Sequence, residues 1–275
     1  VLGAQQAFVP VSMGITVDPD DAVTQDELLK NADQAMYVSK GAGRNRFSYF
    51  TRAMQDAAQH RLHLMSDLRG ALALNQFELH YQPIVDLCSG GIHKAEALLR
   101  WTHPTRGPVG PSEFIGLAGE SGLIHDIGLW VLAQATRQAR RWRAHCDPSF
   151  QVSVNLSPVQ LQSGARQLPW RSMLEDARLM GDALVLEITE GVLLDQSPRV
   201  VEELRALRAA GVEVAIDDFG TGYSAMSYLR HLDINYLKID KSFVCNLAVD
   251  SSDFAMCEAI VVMAHKLGLR VVAEG

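Results

Sequence analysis

The chain predicts an α/β fold in which a parallel sheet closes towards a (β/α)8 barrel with helices outside. Three observations point there. Short Val/Ile/Leu-rich runs alternate with amphipathic helical segments from residue 76 onward, the pattern of a parallel sheet covered on its faces. Five of those runs close on polar or charged groups: VSVNL (Asn155), LVLEITE (Glu187, Glu190), VEVAIDD (Asp217, Asp218), YLKID (Lys238, Asp240) and VVAEG (Glu274). A sixth, KAEALLRW, carries Glu96 inside an apolar run. Buried carboxylates cost several kcal/mol unless they are paired or bound to metal. Their repetition at the same end of successive strands marks the face on which a (β/α)8 barrel builds its site. A doubly wound open sheet is the competing fold, and it would gather the site at one switch point.

At 275 residues, 48% of them hydrophobic, the chain can bury a large core. It opens VLGAQQAF, without an initiator Met or a signal-peptide pattern, and is expected to be a section of a longer polypeptide. Its longest apolar stretches are too short to cross a bilayer. The net charge of −7 argues against DNA or RNA as a partner. The cluster Arg137, Arg140, Arg141 and Arg143 reads as a solvated helix face. Cys88, Cys146, Cys245 and Cys257 are scattered and read as free thiols of a cytoplasmic protein.

Along the chain, FVPVSMGITV alternates as a strand, and TQDELLKNADQAMYVSK has helical spacing with Thr24 or Asp26 as cap. The run GAG at 41–43 stops that helix, and RFSYF reads as a short strand. Residues 1–50 thus form a first unit that cannot bury a core alone. Residues 51–75 read as a connecting helix bearing Leu62, Met65, Leu68 and Leu72, with His60 and His63 as exposed linker histidines. Beyond it, FELHYQPIVDL and KAEALLRW read as strands. PSEFIGLAGESGLI, IGLWVLAQATRQARRW and SPRVVEELRALRAAG read as helices.

Glu96, Asn155, Glu187, Asp217 and Asp218 offer oxygen ligands only, which suit Mg²⁺ or Mn²⁺ and disfavour zinc. Neighbouring aspartates point apart within a strand, but at a strand end both can reach a pair of metals. Two ions about 3.5–4 Å apart would clamp an in-line attack on a phosphodiester. Lys238, one strand further round, suits a point-charge contact to water or to a phosphate oxygen. The glycines at 220 and 222 in FGTGYS suggest a mobile flap beside the aspartate pair.

With QPI (82–84), EALLRW (96–101), SVNLSP, LEITE, IDDFGTGYS, LKIDKSFV and VVAEG in order, residues from about 60 to 275 resemble the EAL domain of bacterial cyclic di-GMP phosphodiesterases. The resemblance implies a barrel with an antiparallel first strand, cut here before its eighth strand, occupying residues 76–275. It implies hydrolysis of cyclic di-GMP to linear pGpG with two ions, Mg²⁺ or Mn²⁺. By motif, Glu96, Asn155, Glu187 and Asp217 match the ligands of the first metal. Asp218 matches a ligand of the second, with Asp217 bridging. Lys238 matches the lysine that contacts the catalytic water, and Glu274 a glutamate that activates or positions it. Gln82, Arg100 and Asp240 match residues that contact the dinucleotide, with Arg100 facing a phosphate. Glu190 matches the glutamate that anchors the DFGTGYS loop, near which the family forms homodimers. Residues 1–50 are similar to the C-terminal part of a GGDEF domain, with Lys40 and Arg44 at its basic pair but without its signature turn. A non-hydrolysing cyclic di-GMP-binding module, an inactive fragment and a general phosphohydrolase stand as alternatives.

Overall fold

A strand, a helix and a second strand come first among the residues that the computed structural model describes. The structure describes residues 10–162, 169–193, 197–221, 229, 234–245 and 247–275, and it divides into two units, Val1–Gly70 and Ala71–Gly275. In the first unit, β1 (Met13–Ile15), α1 (Gln25–Gly41) and β2 (Phe47–Tyr49) form a βαβ crossover, because β1 and β2 pair in parallel. Three-residue strands carry too little pattern for that pairing to be read from sequence. Thr24 caps α1: its side chain accepts from Glu27 N, and its hydroxyl donates to Glu27 Oε2 at 2.8 Å. Gly14 lets helix and strand meet, since a Cβ there would lie 1.9 Å from Ala32 O. Buried Ser39 donates from α1 to Met13 O at 2.9 Å. The helix α2 spans Arg52–Ala71.

The second unit opens with a long antiparallel pair, β3 (Phe77–Val85) and β4 (Ile92–His103), and the short β5 (Gly107–Val109) pairs antiparallel with β4. Two helices follow, α3 (Pro111–Ser121) and α4 (Ile124–His145). The chain then continues through β6 (Gln151–Asn155), α5 (Pro158–Gln162), α6 (Trp170–Ala177), a 3₁₀ turn, β7 (Leu184–Thr189), α7 (Glu190–Leu193) and α8 (Pro198–Ala209). It closes with β8 (Glu213–Phe219), β9 (Tyr236–Ile239), α9 (Lys241–Val244), α10 (Ser252–Lys266) and β10 (Arg270–Ala273).

The main sheet runs β10-β9-β8-β7-β6-β4-β3; β3 is antiparallel to β4, and every pair from β4 to β10 is parallel. The sheet is curled. β9 and β4 stand four strand spacings apart, about 19 Å in a flat sheet, yet Lys238 Nζ on β9 is 3.1 Å from Glu96 Oε2 on β4. Among the described residues two edges remain, β10 and β3. Alternation sorts the side chains. Val152, Val154, Leu186, Ile188, Val214, Ile216, Leu237 and Ile239 are buried on one face of the sheet. Ser153, Asn155, Glu187, Asp217 and Lys238 line the other, above an inner cluster of Val185, Ala215 and Tyr236. Three of the predicted solvated arginines are exposed, but Arg143 is half-buried and donates to Phe150 O (2.7 Å) and Asp182 Oδ1 (2.9 Å).

Candidate metal centre and active site

Four carboxylates meet at one ammonium. Lys238 Nζ lies 2.6 Å from Glu187 Oε2, 2.6 Å from Glu274 Oε1, 3.0 Å from Asp217 Oδ1 and 3.1 Å from Glu96 Oε2. Each comes from a different strand or its end: Glu96 from β4, Glu187 from β7, Asp217 from β8 and Glu274 from the residue after β10. Curling the sheet converts five sequence-distant strand positions into one cluster. Asn155, the last residue of β6, donates from Nδ2 to Glu96 Oε1 at 2.7 Å, which leaves its carbonyl oxygen as a further donor atom.

Asp218 joins the cluster through an irregularity. The β8–β9 register shifts between Ile216 and Phe219, and Asp218 adopts φ 53°, the left-handed region a non-glycine residue seldom enters. Its backbone N–H donates to Asp217 Oδ1 at 3.0 Å. Oxygens of Asp217, Asp218 and Glu274 thereby come within 4.8 Å of one another. Glu190 is buried, and its Oε2 accepts from Gly220 N at 3.1 Å, tying α7 to the turn after the aspartate pair. The rest of the predicted flap, residues 222–224 (GYS), lies outside the described residues.

Gln82 stands opposite Glu96 in the β3–β4 ladder and lines the same cavity, of about 540 Å³, as Glu96, Asp217, Lys238 and Glu274. Arg100 lies further along β4, with Nη1 donating to Leu99 O at 3.0 Å. Asp240 caps α9, accepting from Ser242 N at 2.9 Å and from its hydroxyl, and these bonds lower its pKa. The hydrogen bond and charge of Asp240 help to raise Asp218, on which burial and the Asp217 charge act more strongly.

The electrostatics of the cluster are those of an anionic hole. Burial pushes the Glu187 carboxyl up to about 7 against the pull of Lys238, and Glu96 and Asp217 push it further. Burial also raises Glu274. For Lys238, burial would lower the ammonium, but Glu187, Glu96 and Asp217 outweigh it and raise it. One layer below, burial lowers Lys94 to about 8, with Glu187 its largest support. Five carboxylates face one ammonium in the upper layer, a formal excess that two divalent cations would neutralise. Glu187 Oε1 is buried with no hydrogen-bond partner, an oxygen in want of a cation. The donor set and this orphaned atom fit hard divalent ions.

Alternation of side chains makes most of the cluster visible in the sequence. It does not single out Lys94 and Ser153, although each stands on the inward parity of its strand, two residues before Glu96 and Asn155 respectively.

A family model described as the EAL domain matches residues 65–275. The chain is 40% identical over 274 residues to the cyclic di-GMP phosphodiesterase NbdA of Pseudomonas aeruginosa, covering 100% of this chain and 35% of that protein. It is 42% identical over 274 residues to the bifunctional diguanylate cyclase/cyclic di-GMP phosphodiesterase MucR of the same organism, covering 100% of this chain and 40% of that one. The chain therefore spans well under half the length of these relatives. The structure superposes on the PaMucR phosphodiesterase in complex with c-di-GMP with a TM-score of 0.73 at 42% identity, covering 78% of this chain and 86% of that one.

Proposed function

The chain belongs to the EAL-domain family, and on that premise we propose that it hydrolyses one phosphodiester bond of cyclic di-GMP to give linear pGpG. The observation that carries the reading is the convergence of Glu96, Glu187, Asp217 and Glu274 on Lys238. Glu96, Asn155, Glu187 and Asp217 would hold a first Mg²⁺ or Mn²⁺, and Asp218 a second, with Asp217 shared. Such ions, when bound, neutralise phosphate charge and stabilise the attacking and leaving oxygens of an in-line displacement. Lys238 orients the attacking water, and Glu274, 2.6 Å from the same ammonium, takes its proton. A carboxyl raised by burial accepts that proton more readily than a solvated one would. Gln82, which lines the cavity, contacts the dinucleotide together with Arg100 and Asp240 in this reading.

The same reading extends to the rest of the chain. Residues 1–50 are the end of a GGDEF domain, 51–75 a linker helix and 76–275 the EAL domain; the parallel β1–β2 pair supports an α/β origin for the first. Glu190 and Gly220 anchor a loop at which two EAL domains associate in a cytoplasmic homodimer. Among the described residues no helix is long and apolar enough to cross a membrane.

The test is to follow cyclic di-GMP by chromatography with Mn²⁺ or Mg²⁺ for the wild type and Glu96→Ala. Formation of pGpG by the wild type and its loss in the variant is the expected result. Unchanged turnover in Glu96→Ala would remove the site assignment, and binding without turnover by the wild type would favour a sensing module.

A further inference from the structure

Beneath the acidic cluster the barrel holds a second cation for which the hydrolysis above has no use. Lys94 precedes Glu96 by two residues on β4, so both side chains leave the same face of the strand. Lys94 is only 7% exposed, and among the described residues it makes no ion pair and no hydrogen bond. Its Nζ instead lies 3.5 Å from the centroid of the Tyr236 ring. Tyr236 in turn precedes Lys238 by two residues on β9. The two strands therefore exchange lysines across the barrel: Lys238 reaches Glu96 on β4, and Lys94 reaches Tyr236 on β9.

The seat of Lys94 is built. The Tyr236 hydroxyl donates to Gln151 Oε1 at 2.7 Å, and Gln151 Nε2 donates to Glu213 Oε2 at 2.7 Å. Glu213 Oε1 pairs with Arg270 at 2.6 Å, and the Arg270 guanidinium lies 4.0 Å from the Tyr236 ring centroid. These four side chains form a closed circuit that fixes the ring under Lys94.

Burying an unpaired ammonium is costly, and the face of one aromatic ring returns only part of that cost. The remaining compensation comes from two carboxylates, first Glu187 in the cluster above and then Glu213 in the seat itself. That attraction is mutual. Lys94 therefore satisfies part of the negative field that a bound cation would otherwise satisfy, without occupying its place.

We infer that Lys94 is a positioning residue that weakens divalent-cation binding by the acidic cluster from the layer beneath, so that the bound ions stay exchangeable. This rests on the reading that the cluster holds cations. The test is calorimetric titration of Mn²⁺, without nucleotide, into the wild type, Lys94→Met and Lys94→Arg at one neutral pH. Lys94→Met is expected to bind Mn²⁺ about three- to tenfold tighter, the effect of removing one nearby like charge. Lys94→Arg keeps the charge and is expected to stay within about twofold of the wild type. Equal or weaker binding by a Lys94→Met protein whose circular dichroism matches the wild type would overturn the inference, because a purely structural role moves stability and not affinity. Should Lys94→Met not fold, Lys94→Gln carries the same expectation. A wild type that binds no Mn²⁺ would bring down the cluster reading and this inference with it, whereas Mn²⁺ binding unaltered by Lys94 would bring down this inference alone.

Discussion

Lys238 Nζ lies 2.6 Å from Glu187 Oε2, while the second oxygen of that buried carboxylate has no hydrogen-bond partner. The ammonium is therefore the principal counter-charge of Glu187 and leaves half of its hydrogen-bonding capacity unused. Removing one partner of a buried pair costs roughly 3–5 kcal/mol, because the other charge is stranded. Lys238→Met should lose about that much stability to urea without metal, and saturating Mn²⁺ should restore part of it. Equal losses with and without Mn²⁺ would argue that the cluster does not take up the ion.

Glu190 Oε2 accepts from Gly220 N at 3.1 Å and so holds the turn after the aspartate pair. Glu190→Ala leaves that backbone donor without its acceptor, at a cost of about 1–3 kcal/mol. Glu190→Gln keeps an acceptor oxygen and should cost less than about half as much. Urea denaturation of the two variants checks the order. Hydrogen exchange at Gly220 should quicken in the alanine variant alone.

Gly181 and Gly116 should respond to alanine in opposite directions. A Cβ at Gly181 would sit 2.0 Å from Ala210 O and 2.4 Å from Gly211 C, backbone that cannot retreat cheaply, so Gly181→Ala should destabilise by about 1–3 kcal/mol or more. Gly116 lies exposed within α3, where a Cβ would meet nothing within 4 Å, and Gly116→Ala should stabilise by roughly 0.5–1 kcal/mol through helix propensity. Thermal melts of both variants decide it.

His93 Nδ1 meets Asp147 Oδ2 at 2.6 Å, and together with Ser149 it lowers the Asp147 carboxyl from 3.8 to about 2. A carboxyl depressed in the folded state contributes stability that is present above its unfolded pKa and fades as pH falls towards the folded one. Wild-type stability should therefore fall more steeply than that of Asp147→Asn between about pH 4 and pH 2. Parallel urea midpoints over that window would show that the contact carries no pH dependence.

Strand parity makes Glu96, Asn155, Glu187, Asp217, Lys238 and Glu274 legible, because each interrupts or ends an apolar run on one face. Asp218 is legible only as a member of a pair. Parity alone turns it away from Asp217, and the bulge and left-handed φ that bring it back are properties of the folded turn. Lys94 escapes notice because a lysine at the start of a strand reads as solvent-facing; only the curl of the sheet puts it inside. Arg143 escapes for the converse reason, since its helix face looks solvated until the β6 entry and the 3₁₀ turn close over it. The parallel pairing of β1 with β2 depends on α1 lying across both, and no local pattern states it.

The exchange of lysines between β4 and β9 has a mechanical side. A sheet bends easily about its strand axes, and the hydrogen bonds between neighbouring strands do little to fix its curvature. Two struts of opposite sense, set at different heights, resist both opening of the arc and sliding of one wall past the other. Flattening the sheet by a few ångströms would break Lys238–Glu96 and lift Lys94 from its ring together. The curvature of the sheet and the spacing of the acidic cluster are thus held by the same two contacts.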